Sequence, residues 1–99
     1  MHGEYKVPGG KLVVVDLAVE DGRLAGVQVS GDFFLEPDSA LEAMNTALEG
    51  LPADAGEALL AGAIHVALGP DAKLYGLTPE AVAVAVRRAI DGPAAGAPA

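Results

Sequence analysis

The feature that most constrains the fold is a pair of alternating apolar segments separated by Asp21-Gly22. Residues 11–20 (KLVVVDLAVE) and 23–30 (RLAGVQVS) place apolar side chains at every second position, which is typical of strands with one buried face. Asp-Gly between such segments favours a tight turn, because both residues tolerate positive φ. The sequence therefore predicts an antiparallel hairpin, and the buried face of its first strand consists of Val13, Val15, Leu17 and Val19.

Residues 4–7 supply a possible third strand, which joins the hairpin across Pro8-Gly9-Gly10. A two-stranded ribbon is only marginally stable by itself, so we expect helices to cover one face of this sheet. The first helix begins after Pro37, where Ser39 and Glu42 have the spacing of a capping box, and it ends at Gly50.

A second helix is predicted from Asp54 to Leu68, before Gly69-Pro70. Its apolar arc is wide, so we expect it to be more deeply buried than the first helix. Residues 71–77 are predicted to form a loop.

Residues 81–86 (AVAVAV) are ambiguous, because alternating β-branched residues favour a strand. Thr78-Pro79-Glu80, however, supplies a cap, a proline suited to the first helical position and an acid in the first turn. Arg87 and Arg88 would complement the helix dipole at the C-terminal end of this helix. The helix is the favoured interpretation.

The predicted architecture is a two-layer α+β fold, with a small N-terminal antiparallel sheet of two or three strands covered by about three helices. Ninety-nine residues are enough for a single domain. We assign residues 1–92 to this domain and residues 93–99 (PAAGAPA) to a flexible tail.

Composition excludes several function classes. The net charge of −8 is unfavourable for binding nucleic acid or an anionic membrane, since both interactions depend on Lys and Arg. The absence of cysteine excludes disulfides, thiolate nucleophiles and iron–sulfur ligation. No apolar segment approaches the length of a membrane span. We expect a cytoplasmic protein.

The titratable residues show no catalytic pattern. His65 has no acid or second histidine three or four positions away, so it is interpreted as an accommodated or exposed side chain rather than a metal ligand. The carboxylates near the hairpin and around Pro37 are interpreted as solvated, since acid–base work needs a pocket that shifts one pKa. They are Asp16, Glu20, Asp21, Glu36 and Asp38.

The two ends of the hairpin carry more information. In Pro8-Gly9-Gly10-Lys11 the glycines allow backbone N–H groups to approach an anion, and a lysine follows directly. The alternative is a tight turn with an ordinary surface lysine. Gly31-Asp32-Phe33-Phe34 contains the only two phenylalanines. Adjacent residues of an extended segment point in opposite directions, so one ring can enter the core while the other is exposed as an interface anchor. Ordinary core packing is the alternative.

These features together resemble the lipoate–protein ligase accessory domain. The resemblance rests on residues 5–12 (YKVPGGKL), on the Asp21-Gly22 hairpin and on residues 31–34 (GDFF) with the acidic helix cap that follows. It extends over roughly residues 4–92, and residues 77–80 (LTPE) are its best later part.

The resemblance implies a role beside a catalytic large subunit. In this family the large subunit binds lipoate and ATP, with Mg, and makes lipoyl-adenylate. It then passes the lipoyl group to a lysine of a lipoyl domain or of the glycine-cleavage H protein. The accessory part is needed for adenylation but has no complete active site. We therefore expect no catalysis and no bound cofactor in this chain alone, and we favour a separate subunit over an excised domain.

The resemblance also suggests site residues. Gly9, Gly10 and Lys11, with Lys6 as a weaker candidate, would contribute to a composite site near the phosphates or adenylate. Asp32, Phe33 and Phe34 would contact the catalytic subunit. A stand-alone interaction or regulatory module and a small enzyme that works alone remain open as alternatives.

Overall fold

The computed structural model describes residues 1–96. Along the chain the elements are β1 (His2–Lys6), β2 (Leu12–Glu20), β3 (Arg23–Gly31), β4 (Phe34–Glu36), α1 (Ser39–Leu48), α2 (Glu57–Leu68), β5 (Lys73–Tyr75) and α3 (Pro79–Gly96). The α+β class, the N-terminal antiparallel sheet and the three helices are as predicted from the sequence.

The main sheet has the order β1-β2-β3, and both pairs of strands are antiparallel. Asp21 and Gly22 have φ angles of 53° and 75°, so the predicted turn with two positive φ values is confirmed. Residues 4–7 were expected to contribute a third strand. β1 supplies this strand, but it begins two residues earlier and ends one residue earlier than predicted.

The predicted loop over residues 71–77 is wrong. It contains β5, which pairs with β4 in a second, two-stranded antiparallel sheet. Phe34 lies opposite Tyr75, and Glu36 lies opposite Lys73. We refer to this second sheet, β4 with β5, as the ribbon.

The core lies between one face of the main sheet and the helices. Val13, Val15 and Leu17 are buried, as their alternation predicts, and Val19 is half-buried. Helix α3 packs on β1 and β2, whereas α1 packs on β3. Helix α2 packs against α1 and α3 rather than against the sheet.

The position of α2 corrects the prediction that it would be more deeply buried than α1. Only Leu60, Ala61 and Ile64 are buried in α2, because the helix packs against its two neighbours on one side. Leu59 and Val66, which extend its apolar arc, are 52% and 83% exposed.

Helix α2 also begins later than predicted, at Glu57 rather than Asp54. The preceding residues are held by other elements. The amide of Leu24 donates to the carbonyl of Leu51, and the amide of Ala53 donates to the carbonyl of Gly22. The guanidinium of Arg87 donates to the carbonyl of Ala53 at 2.6 Å. A backbone that is tied to the hairpin and to α3 in this way is not available for a helical turn.

The two other helix starts differ in their caps. Thr78 caps α3 as predicted, since its hydroxyl accepts a hydrogen bond from the amide of Ala81 at 3.0 Å. The capping box predicted for α1 does not form. Asp38 occupies the cap position of α1 with helical backbone angles and makes no side-chain cap hydrogen bond.

Helix α3 confirms the helical interpretation of residues 81–86. Gly92 interrupts it, with φ of 77° and ψ of 164°, at the position where the sequence predicts a stop. Residues 97–99 of the predicted tail lie outside the described part of the chain. The domain limits and the flexibility of the tail therefore stay predictions.

Candidate functional site

The Gly-Gly-Lys corner forms a closed turn between β1 and β2. The amide of Gly10 donates to the carbonyl of Val7 at 2.8 Å, and the amide of Val7 donates to the carbonyl of Lys11 at 3.1 Å. Gly9 has a φ of 72°, which favours glycine, and open space surrounds the position where its side chain would be. The corner is therefore a defined turn with an open outer side at Gly9.

The two lysines of this corner have different surroundings. The Nζ of Lys6 donates to the carbonyl of Gly10 at 2.6 Å, so this amine stabilises the turn. Lys11 is exposed, and its amine makes no ion pair within residues 1–96. Of the two, Lys11 is the one whose charge is available to a partner or an anion.

The second corner, residues 31–34, separates its two phenylalanines as their adjacent positions predict. Phe33 is half-buried and packs against the core. Phe34 is 56% exposed, and Asp32 is also exposed. Gly31 packs so closely on β2 that a Cβ there would lie 2.1 Å from the carbonyl oxygen of Leu12. This close approach places the second corner directly against β2, the strand that follows the Gly-Gly-Lys corner.

Gly76, immediately after β5, lies between the two corners. Its carbonyl accepts a hydrogen bond from the amide of Lys11 at 2.9 Å. With φ of 90°, a Cβ at Gly76 would lie 2.5 Å from the Cγ of Lys11 and 3.7 Å from the Cα of Phe33. A Cβ at Gly10 would in turn lie 2.8 Å from the carbonyl oxygen of Gly76. The structure therefore brings Gly10 and Lys11 close to Phe33, which lies far from them in the sequence.

Tyr75 extends this site along the ribbon. Its ring lies next to Phe34, with 5.8 Å between the ring centroids, and 47% of Tyr75 is exposed. The pKa of its hydroxyl is raised, chiefly by the hydrogen bond to the Glu36 carboxylate. A shallow hollow of about 220 Å³ adjoins Phe34 on the side of α1 and includes Asp38 in its lining.

Sequence reasoning missed Tyr75 and Gly76, because both lie in the segment that was assigned to a loop. The alternation of Lys73, Leu74 and Tyr75 is a strand signal only three residues long. Such a short pattern does not distinguish a strand from a loop.

The remaining titratable candidates lie on the surface. His65 is exposed, as expected, and its Nε2 lies 2.8 Å from the Oε2 of Glu80 in α3. This hydrogen bond is the main reason that the pKa of Glu80 is lowered. The carboxylates of Asp16, Glu20 and Asp21 are exposed, as are those of Glu36 and Asp38. The interpretation of these acids as solvated is confirmed.

Residues 1–96 contain neither a metal-binding group nor a membrane-spanning helix. No group of three or more His, Asp or Glu side chains has the geometry to hold a metal ion. No helix in this part of the chain combines the length and the apolar character that crossing a bilayer requires.

Comparison with known proteins adds one structural match. No protein-family model matches the chain, and no curated protein matches it. The fold is similar to that of a chain in the solved structure of an archaeal lipoylation system from Thermoplasma acidophilum, described as a bi-partite lipoate protein ligase and its E2 lipoyl domain. The TM-score is 0.64 and the identity 24%, over 88% of this chain and 98% of the matched chain. At this identity the match establishes a shared fold.

Proposed function

We propose that this chain is the accessory subunit of a bipartite lipoate–protein ligase. In this role it is needed for the ATP-dependent conversion of lipoate to lipoyl-adenylate by a separate catalytic subunit. The lipoyl group would then pass to a lipoyl domain or to the glycine-cleavage H protein. The ATP, Mg and lipoate are bound in the complex rather than by this chain alone.

The observation that carries the proposal is the fold shared with a chain of the archaeal lipoylation structure. Since the match spans nearly all of that chain and most of this one, the two are of similar length. The resemblance of residues 5–12 and 31–34 to the accessory domain supports the same assignment independently of the fold. The structure adds that these two segments lie side by side around Gly76.

The surroundings of Lys11 support a specific contribution of this chain to adenylation. Lys11 lies on an exposed turn, so its ammonium group faces solvent in this chain alone. A catalytic subunit that docked over the corner would remove water from Lys11 and supply the rest of the site. The ammonium group would then stabilise negative charge that develops on the departing pyrophosphate. Gly9 and Gly10 would let the backbone of the turn approach the same phosphates.

We expect Lys11→Ala to lower the rate of lipoyl-adenylate formation by at least about tenfold, since a preorganised charge is lost from the transition state. The measurement is pyrophosphate release by the catalytic subunit of the same source, with this chain, lipoate, ATP and Mg²⁺. Lys11→Arg should retain most of the rate. Arg23→Ala, which removes an exposed positive charge from the other end of the hairpin, beside the Asp21-Gly22 turn, is the control.

Lys6→Ala tests the second lysine of the corner. Because the Nζ of Lys6 is bonded to the carbonyl of Gly10, its loss should loosen the turn and reduce the rate less than Lys11→Ala does.

An unchanged rate with Lys11→Ala would remove that residue from the composite site. If the wild-type chain bound the catalytic subunit but did not stimulate adenylation, a purely regulatory interaction module would replace the accessory function.

A further inference from the structure

We propose that Phe34 and Tyr75 form the anchor of the surface that docks on the catalytic subunit, and that the partner receives them in an apolar pocket bordered by Lys or Arg. This inference rests on the proposed function and names the chemistry of the partner surface. Of the predicted interface residues Asp32, Phe33 and Phe34, it takes Phe34 as the anchor and adds a tyrosine from a different strand.

The two rings form a pre-arranged aromatic surface. They lie on directly opposed residues of the ribbon, with their centroids 5.8 Å apart. Each is about half exposed, at 56% for Phe34 and 47% for Tyr75. Phe33, by contrast, is half-buried because it packs against the core. Large aromatic side chains held in place before binding are typical interface anchors, because little conformational entropy is lost when they dock.

The charges around the rings specify the partner further. Asp32, Glu36 and Asp38 are exposed, and none of them belongs to an ion pair within the described chain. The single lysine of the ribbon, Lys73, lies opposite Glu36 but is not paired with it. An apolar centre bordered by carboxylates that belong to no ion pair in this part of the chain is complementary to an apolar pocket with a basic border.

The position of the rings connects docking to the proposed chemistry. Tyr75 is followed directly by Gly76, whose carbonyl holds the amide of Lys11. Phe34 follows Phe33, whose backbone lies close to Gly76. A partner seated on the two rings would therefore also approach Lys11, as a composite site requires.

A rival apolar surface lies on α2. Leu59 and Val66 are seven residues apart, so they share one face of the helix, and they are 52% and 83% exposed. They are aliphatic and lie on an element that carries none of the predicted site residues. Their exposure makes them matched controls for the two rings.

The test is the dissociation constant of the complex with the purified catalytic subunit of the same source, measured by calorimetry. We expect Phe34→Ala and Tyr75→Ala each to weaken binding by about 30-fold, the effect of a strong interface anchor. Tyr75→Phe keeps the ring and should bind within about threefold of wild type. Leu59→Ala and Val66→Ala should bind like wild type. Thermal unfolding of each variant separates lost contact from lost folding.

The charge prediction has its own measurement. Replacing Asp32, Glu36 and Asp38 by Asn, Gln and Asn should slow association and flatten its dependence on salt. Equal salt dependence for the triple variant and wild type would overturn the basic border.

The outcomes separate this inference from the proposed function. If the wild-type chain binds and stimulates adenylation while Phe34→Ala and Tyr75→Ala bind equally well, only the anchor is wrong. The same conclusion follows if Leu59→Ala or Val66→Ala weakens binding instead. If wild type neither binds nor stimulates the catalytic subunit, both proposals fail. If the two ring variants abolish self-association of the chain in sedimentation experiments but leave the heteromeric complex intact, the ribbon is a homodimer surface and the inference is overturned.

Discussion

At the scale of single residues, the structure distinguishes groups that are equivalent in the sequence. Lys6 and Lys11 flank the same pair of glycines, yet one amine is bonded to the turn and the other is free of ion pairs within residues 1–96. Phe33 and Phe34 are adjacent, yet one packs on the core and the other is exposed. In both pairs the two side chains point in different directions. The alternation of a strand predicts that direction for the phenylalanines but not for a lysine in a turn.

His2 gives a prediction about pH. Its Nδ1 lies 2.7 Å from the Oδ1 of Asp16, and its Nε2 lies 2.6 Å from the Oε2 of Glu4. Both ring nitrogens can donate to these carboxylates only when the imidazole is protonated. The hydrogen bond to Glu4, followed in size by the one to Asp16, raises the pKa of His2 above its ordinary value of 6.5.

Because the pKa is higher in the folded state, protonated His2 favours folding. Its contribution is fully present below the unfolded-state pKa of about 6.5 and is lost as the pH rises through the higher folded-state pKa. We therefore expect His2→Gln to lower the free energy of unfolding in mildly acidic solution and to leave it unchanged above the folded-state pKa. Urea unfolding across this pH range measures the difference. An NMR titration that placed His2 at or below its ordinary pKa would contradict the prediction.

At the scale of elements, α1 does more than cover the sheet. The amide of Val29 donates to the Oδ1 of Asn45 at 2.9 Å, and the amide of Val27 donates to the side chain of Glu49. Asn45 and Glu49 are four residues apart and therefore lie on the same face of α1. Side chains of α1 thus accept hydrogen bonds from two N–H groups of β3, on the edge of this strand that does not pair with β2. An edge covered in this way is protected from pairing with another chain.

Asn45→Ala tests this arrangement. The substitution leaves the partly buried amide of Val29 without an acceptor, which should cost about 1–3 kcal/mol of unfolding free energy. Hydrogen exchange at the Val29 amide should accelerate. Thr46→Ala, at the exposed neighbouring position of the same helix, should change stability by less than about 0.5 kcal/mol. Unchanged stability together with unchanged exchange at Val29 would show that the bond does not support the edge.

How well an element could be predicted depended on how local its determinants are. The Asp21-Gly22 hairpin follows from a dipeptide and two long alternating segments, and it forms as expected. The ribbon could not be predicted, because β5 has three residues and its partner β4 is about forty residues earlier in the chain. The role of Gly76 was also beyond sequence reasoning, since its need for a small residue comes from Lys11, in the distant turn between β1 and β2.

At the scale of the whole molecule, the fold is closed by contact between its first strand and its last helix. Arg88 of α3 donates to the carbonyl of Glu4 at 3.2 Å and lies over the ring of Tyr5, 4.9 Å from its centroid. Gly3 is the point of closest approach. A Cβ at this position would lie 2.4 Å from both the carbonyl oxygen of Ala85 and the amide nitrogen of Ala89. These are backbone atoms of a helix, so no side-chain rotation can relieve the contact.

Gly3→Ala should therefore destabilise the whole domain rather than one loop. The added methyl group must push β1 away from α3, and overpacking of this kind costs about 1–3 kcal/mol. Gly62→Ala is the matched control, because a Cβ at this position of α2 meets no atom within 4 Å. In a helix this exchange should instead add about 0.5–1 kcal/mol of stability. The urea midpoints of the two variants should consequently move in opposite directions. A Gly3→Ala midpoint equal to that of wild type would mean that the close contact between β1 and α3 does not limit stability.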